Sequence, residues 1–366
     1  MITEESITAV KEAIIIDQLL ADFLTLKKSG SGFTACCPFH GEKTASLHVS
    51  PSKGMFKCFG CGEGGDGIKF LMKQERLTYP DAVRYAAKKF NITLVEVAAN
   101  AEDVQIKETK TSLFEINASV CALYQKNLLR ILQTEPNHWV TIELHQNRNL
   151  SDDTIIDFKL GFAPDGWDFL CNTFKDAEQS VLLKDLGLIA TNAKGGNYDY
   201  FRNRIMFPFI DQLGRVTGFT GRKSDDGDEQ NPKYFNSKDS MLFKKKSTFY
   251  GLYQSEKTIR KESHAILVEG QFDVCQMHQA GICNTIAASG TAFTEEHAVQ
   301  LKRFCPHAII MTDGDKAGLA SALKTIDILV ENNIKTEVVP LPSGLDPDAF
   351  IRNQQKILEE KGMALR

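Results

Sequence analysis

Carboxylates close three apolar runs in the C-terminal third of this chain. Glu269 follows AILV, Asp313 and Asp315 follow AIIMT, and Asp346 and Asp348 follow VVPLPSGL. Acidic side chains crowded at the end of a buried strand repel one another and resist desolvation. A divalent cation bound through oxygen relieves both effects, so these residues predict a Mg²⁺ or Mn²⁺ centre. A second set stands near the N-terminus. Cys37-x₂-His40 is followed, after 17 residues, by Cys58-x₂-Cys61. Each pair places two side chains on one side of a knuckle, and two knuckles close a tetrahedral Cys₃His site of the structural zinc type.

Positioning these groups requires two different kinds of framework. From Ala265 to Phe350, β-rich apolar runs alternate with helical patterns, the signature of βαβ units and a parallel sheet. Ligands of open α/β sheets collect at the carboxyl ends of the strands, where these acids fall. Around the cysteines, SLHV and MFK alternate as short strands, predicting a zinc ribbon. Cys36 is expected as a small core residue and His48 as a surface or packing residue. Apolar spacing over 6–28 predicts helix, Asp66 is expected to open another, and a further one is expected from about Tyr79 to Phe90. Residues 95–110 lose periodicity and gain charge, which reads as a linker. Helical spacing restarts over 111–133. Ser151 or Asp152 caps a short helix, and IMFPFI and VTGF form a hairpin around Asp211–Gly214.

At 366 residues the chain predicts two or three domains. Its net charge is −4, but the charge is segregated. Lys and Arg outnumber Asp and Glu by 12 to 7 in residues 200–260 and are outnumbered 10 to 14 in 261–366. A basic segment beside an acidic, metal-binding one could form a cationic track at a reacting centre. MITEESITAV has no basic n-region, so no signal peptide is read. No apolar run reaches the roughly 18 residues of a membrane span, and a membrane partner is not expected. Nine cysteines are read as thiols and metal ligands in a cytoplasmic protein.

The stretches LKKSG, CPFHGEKTASLHVSP and FKCFGCGEGGDGIKFLM closely resemble the CHC-type zinc finger of bacterial DnaG-type primases and related phage primases. YFRNRIMFPFIDQLGRVTGFTGRK, NPKYFNS and LFKKKSTFYGLY resemble the basic N-terminal half of the DnaG polymerase domain. VEGQFDV, TDGDKAG and GLDPDAF resemble the Toprim fold. The resemblance implies a multidomain α+β protein: a zinc-ribbon domain over 1–94, the linker over 95–110, a basic mixed α/β subdomain over 111–260 and a Toprim subdomain over 261–366. It implies template-dependent synthesis of short RNA primers on single-stranded DNA by two-metal nucleotidyl transfer. One zinc ion would be structural, held by Cys37, His40, Cys58 and Cys61. Two or more Mg²⁺ or Mn²⁺ ions would be held by Glu269, Asp273, Asp313, Asp315, Asp346 and Asp348, with Glu269, Asp313 and Asp315 catalytic. Glu269 is the residue sometimes assigned proton transfer in Toprim enzymes.

The same resemblance places Arg148, Arg202, Arg204, Arg222, Lys233 and Lys245 near template and nucleotide. In the turn after Arg148, Asn149 replaces the usual glycine. The ribbon adds Lys27, Lys28, Lys43, Lys53 and Lys57 as phosphate contacts and Phe56 and Phe59 as stacking partners. Expected partners are single-stranded DNA and ribonucleoside triphosphates, with the chain a monomer. Full-length DnaG primases continue into a helical helicase-binding domain, and the resemblance leaves a replicative helicase open as a further partner. The competing readings are another Toprim enzyme, a topoisomerase or nuclease, and a non-catalytic DNA-binding regulator. A topoisomerase would need a tyrosine nucleophile on a separate domain.

Overall fold

The structure, a computed structural model, describes residues 2–42, 44–75, 77–95, 101–225, 232–288 and 292–360. The chain divides into two compact units, Met1–Gln105 and Ile106–Arg366.

The first unit is built on a five-stranded antiparallel meander. Its strands are β1 (Lys27–Ser29), β2 (Gly32–Ala35), β3 (Leu47–Ser50), β4 (Met55–Cys58) and β5 (Gly64–Asp66), paired in sequence order. Helices Glu4–Ala13, Ile16–Leu20, Gly67–Gln74 and Tyr79–Lys89 accompany it. The apolar run over 6–28 is therefore not one helix. It breaks at Ile14 and Ile15, both extended, and ends in β1. Asp66 does open a helix, its Oδ1 accepting the Lys69 N–H at 2.8 Å. Phe70 is fully buried, and its ring meets those of Phe23, Phe39 and Phe56 at centroid distances of 5.5 to 5.7 Å. These aromatic contacts tie the helices to the strands that carry the cysteines. Cys36 is exposed, so its expected place in a core is corrected.

A 34-residue helix, Ala101–Thr134, leads into the second unit. It begins ten residues before the apolar spacing does, so residues 101–110 of the expected linker are helical, while 96–100 lie outside the described residues. Glu, Gln and Lys are good helix formers. Residues 104–108 are all exposed, and an exposed helical stretch needs no apolar stripe.

The second unit contains two four-stranded sheets. The first is antiparallel, in the order β11 (Tyr234–Asn236), β10 (Val216–Arg222), β9 (Arg204–Ile210), β6 (Gly161–Ala163). β9 and β10 are the expected hairpin, and every residue of both is buried. β7 (Ile189–Thr191) and β8 (Asn197–Asp199) form a separate pair. The second sheet is parallel, in the order β13 (Thr285–Ala287), β12 (His264–Val268), β14 (His307–Thr312), β15 (Lys335–Pro340). Helices Gln271–Gln279, Glu295–Leu301 and Lys316–Glu331 form the crossovers, and Pro347–Glu360 closes the unit. One core joins the two sheets: Phe207 and Phe209 of β9 pack with Tyr250, Val268, Phe272 and Val274.

In the turn after Arg148, Asn149 has φ of 51°. This left-handed conformation accounts for an asparagine where the related turns carry glycine, since both residues tolerate it. Asn149→Ala is expected to cost about 1–2 kcal/mol in chemical denaturation. Asn149→Gly should stay close to wild type.

Candidate metal centres and nucleic-acid interface

The ribbon's four ligands converge. One donor atom from each of Cys37, His40, Cys58 and Cys61 lies within 4.8 Å of all the others. Cys37 Sγ and Cys61 Sγ are 3.9 Å apart, as are Cys58 Sγ and His40 Nδ1. Zn–S bonds of 2.3 Å at tetrahedral angles put sulfur atoms about 3.8 Å apart, so the cage fits zinc. Burial opposes ionisation of Cys58, yet contacts from the Ser46 hydroxyl and the Cys61 and Gly60 N–H groups draw its thiol down to about 6. Burial pushes Cys37 up to about 12, and a bound cation favours its thiolate.

Glu42, which spacing alone did not single out, braces this cage. One carboxylate oxygen lies 3.1 Å from His40 Nε2. The other accepts the Cys37 N–H at 2.6 Å and the Ser46 N–H at 3.2 Å. The carboxylate thereby fixes the imidazole with Nδ1 turned toward Cys58 Sγ, where it would serve as the ligand atom, an arrangement that commonly raises ligand basicity. The readable signal was an acid two residues beyond a C-x₂-H knuckle. Glu42→Gln is expected to weaken zinc binding about 10–100-fold, measured as transfer to a chromophoric chelator, with the ribbon still folded in the presence of metal.

The outer face of the ribbon holds a trough of about 720 Å³ whose lining includes Phe33, His48, Lys53, Met55, Lys57, Phe59 and Lys69. Phe59 is 73 % exposed, with the His48 ring edge-on to it at 5.0 Å. Phe56 is 2 % exposed and belongs to the core, so its expected stacking role is corrected. Lys27 and Lys28 are exposed on β1. Lys43 lies outside the described residues.

In the parallel sheet the chain leaves β12 for β13 on one side and returns through β14 on the other. The strand order therefore reverses at β12, and the crevice beyond its carboxyl end is the expected ligand site. Glu269 follows β12 directly and Asp313 follows β14. Gly314 lets the third acidic segment approach. Its N–H donates to Leu345 O at 2.9 Å, and a Cβ there would lie 2.1 Å from Pro342 O. A cavity of about 350 Å³ opens beside Glu269, with Phe293, Thr312 and Ser321 in its wall.

The structure sorts the six acids by what their oxygens already do. Asp313 Oδ1 is buried with no hydrogen-bond partner. Burial, with the charges of Asp346 and Asp315, raises its carboxyl above the usual range. Burial followed by Asp313 and Asp315 does the same to Glu269. Asp315 caps the helix Lys316–Glu331 through Gly318 N–H at 2.7 Å. Asp346 accepts the Ala349 N–H at 2.7 Å at the start of the last helix. Asp273 is buried, and burial with the Asp346 and Asp313 charges pushes it up to about 7. An orphaned oxygen amid carboxyls that resist ionisation is a fit for divalent cations. Among the described residues, only the ribbon ligands approach as closely as 4.8 Å on all sides, and Mg²⁺ ordinarily completes its shell with water and phosphate.

The basic residues divide as well. Arg202 lies on the Trp167 ring, its Cζ 3.9 Å from the centroid, with Tyr198 at 5.7 Å. Trp167 is 63 % exposed. Lys233 is exposed and paired with Asp225 at 3.1 Å. Lys245 is half-buried, in a loop whose backbone is held by Asp239. Arg204 is buried and donates to the carbonyls of Gly221, Pro232 and Lys233. Its guanidinium is occupied by the sheet, which corrects its expected ligand role. Arg222, 1 % exposed, faces Glu143 and Asp225 at 3.1 Å each. Arg148 pairs with Glu143 and Asp348.

A zinc ribbon in one unit and a parallel sheet ending in carboxylates in the other define a zinc-ribbon Toprim protein. Residues 2–102 match the CHC2 zinc finger family, 125–256 the N-terminal domain of the DNA primase catalytic core, and 266–351 the Toprim-like family. The chain belongs to the bacterial DnaG-type DNA primase family. It is 39 % identical to the DNA primase of Chlamydia trachomatis over 350 residues, covering 95 % of this chain and 57 % of that one. It thus spans little more than half the length of that relative. A crystal structure of the Aquifex aeolicus primase, zinc binding and RNA polymerase domains, superposes with a TM-score of 0.61 at 33 % identity, covering 97 % of this chain and 84 % of that one. A structure of the DnaG primase catalytic domain bound to ssDNA gives 0.60 at 32 % identity over 70 % of this chain and 78 % of the other. Among the described residues no helix is long and apolar enough to cross a membrane.

Proposed function

We propose that this chain is the zinc-binding and polymerising part of a primase, which joins ribonucleoside triphosphates into short RNA primers on single-stranded DNA. The observation that carries the reading is the unpartnered buried Asp313 oxygen at the sheet's switch point, opposite Glu269. Glu269 and Asp313, with the remaining oxygens of Asp315 and Asp346, would hold Mg²⁺ or Mn²⁺. When bound, two such ions activate a 3′-hydroxyl and stabilise the pyrophosphate leaving group of an in-line displacement. Glu269, its carboxyl raised by burial and neighbouring charge, would take the hydroxyl proton.

The chain's own residues bind and orient nucleic acid. Arg202 on Trp167 and Tyr198 presents a cationic face with aromatic surface, suited to stacking bases. Lys233 and Lys245 supply charge for phosphate. The trough around Phe59, with Lys53, Lys57 and Lys69, suits single-stranded DNA in the same way. Zinc is the metal of the ribbon. The setting is cytoplasmic replication, the working form a monomer, and a replicative helicase a further partner. The test is incorporation of labelled ribonucleotides on a single-stranded template with Mg²⁺ or Mn²⁺. Template-dependent primers are expected; products that form equally without template, or none at all, would sink the reading.

A further inference from the structure

Two of the acids that the sequence assigns to metal have both carboxylate oxygens engaged elsewhere. Asp348 is 1 % exposed, and Arg352 grips it bidentately, Nε to Oδ1 at 2.9 Å and Nη2 to Oδ2 at 3.2 Å. Its Oδ2 also takes the Arg148 guanidinium, which arrives from 200 residues away in sequence. Asp273 spends one oxygen on the Asp348 N–H at 3.1 Å and the other on the Gly270 N–H at 2.9 Å. On its other side, Arg148 Nε donates to Glu143 at 3.0 Å, and its Cζ lies 4.7 Å from the Phe272 ring centroid. Glu143 in turn accepts from Asn147 at 2.9 Å and faces Arg222.

We propose that Asp273 and Asp348 form a carboxylate latch that positions Arg148, and that they do not ligate the catalytic metals. A cation seated on Asp348 would have to displace two guanidiniums and would then lie beside both positive charges. The pair instead joins three elements of the second unit: the turn after 142–147, the helix Gln271–Gln279 and the helix Pro347–Glu360. Asp273 holds the first turn of the last helix through the Asp348 backbone, and Asp348 holds Arg148. Arg148 and, behind it, Arg222 are thereby kept on the ring of Phe272, one residue from Asp273 and three from Glu269. Asp273 and Asp348 are thus positioning residues, and Arg148 is the side chain they hold.

The inference rests on the reading that the strand-end acids bind divalent metal, and Mn²⁺ binding followed by EPR on the full chain tests it without requiring activity. Asp348→Asn is expected to retain wild-type Mn²⁺ affinity within about twofold, while Asp313→Asn weakens it at least about tenfold. Arg148→Gln leaves the Asp348 carboxylate in place and should also leave Mn²⁺ binding unchanged. In primer synthesis, Asp348→Asn and Arg148→Gln are each expected to raise KM for ribonucleotide by a similar factor of about ten with kcat little altered. The double variant should be no worse than either single one, and Asp348→Glu should recover part of the loss. A tenfold fall in Mn²⁺ affinity in Asp348→Asn, or a gain in bound Mn²⁺ in Arg148→Gln, overturns the latch. If wild type binds Mn²⁺ but makes no primers, the functional reading fails while the Mn²⁺ comparison still decides the latch. Should Asp348→Asn not fold, Arg148→Gln carries the comparison alone.

Discussion

Asp313→Asn is expected to lower primer synthesis by at least roughly 10³-fold, the scale of losing one preorganised electrostatic partner of a transition state. The substitution nearly preserves volume but removes a charge from a carboxyl whose Oδ1 is buried and has no partner. In the metal-free protein that charge is a burden, because burial and the neighbouring Asp346 and Asp315 raise the group's pKa. The same variant should therefore keep or slightly raise the midpoint of thermal unfolding without divalent metal, and lose the stabilisation that Mg²⁺ gives wild type. Its zinc content should be unchanged, since the ribbon lies in the other compact unit. A variant that melts early, or that loses zinc as well, would show that Asp313 serves folding instead.

The second large effect belongs to Cys58→Ala. Cys58 is fully buried in β4 and receives contacts from Ser46, Gly60 and Cys61. A structural zinc site contributes about 10–16 kcal/mol to folding, more than the stability of most domains. Loss of one ligand should unfold the ribbon, seen as absent zinc by colorimetric assay and rapid proteolysis within residues 27–66. Mn²⁺ binding to the second unit should persist. Retention of one equivalent of zinc together with a protease-resistant ribbon would contradict this account.

What sequence revealed depended on how far apart the interacting residues lie. The zinc ligands were legible because each knuckle is four consecutive residues of local geometry, C-x₂-H or C-x₂-C. The strand-end acids were legible because period and apolarity locate buried strands. The fates of individual charges were not legible. Arg204 meets carbonyls 17 to 29 residues away, and Asp348 meets an arginine 200 residues away. A basic motif cannot show whether its guanidinium faces a ligand or closes a sheet. Composition did not reveal the helix at residues 101–110 because charge density marks solvent exposure, and a solvated helix is as charged as an irregular linker. Glu42 went unnoticed because it brackets the metal ligands without being one.

The strand order β13-β12-β14-β15 also has a meaning in time. Glu269, Asp313 and Asp346 follow three different parallel strands, and parallel pairing requires long loops to close before any contact rewards them. No hairpin or isolated helix of this unit can gather the acids, so divalent-metal capacity arises only when the last crossover has docked. During synthesis and refolding, the chain should remain blind to Mn²⁺ until its slowest folding phase. The zinc cage, held within one antiparallel meander, should capture its own ion well before then.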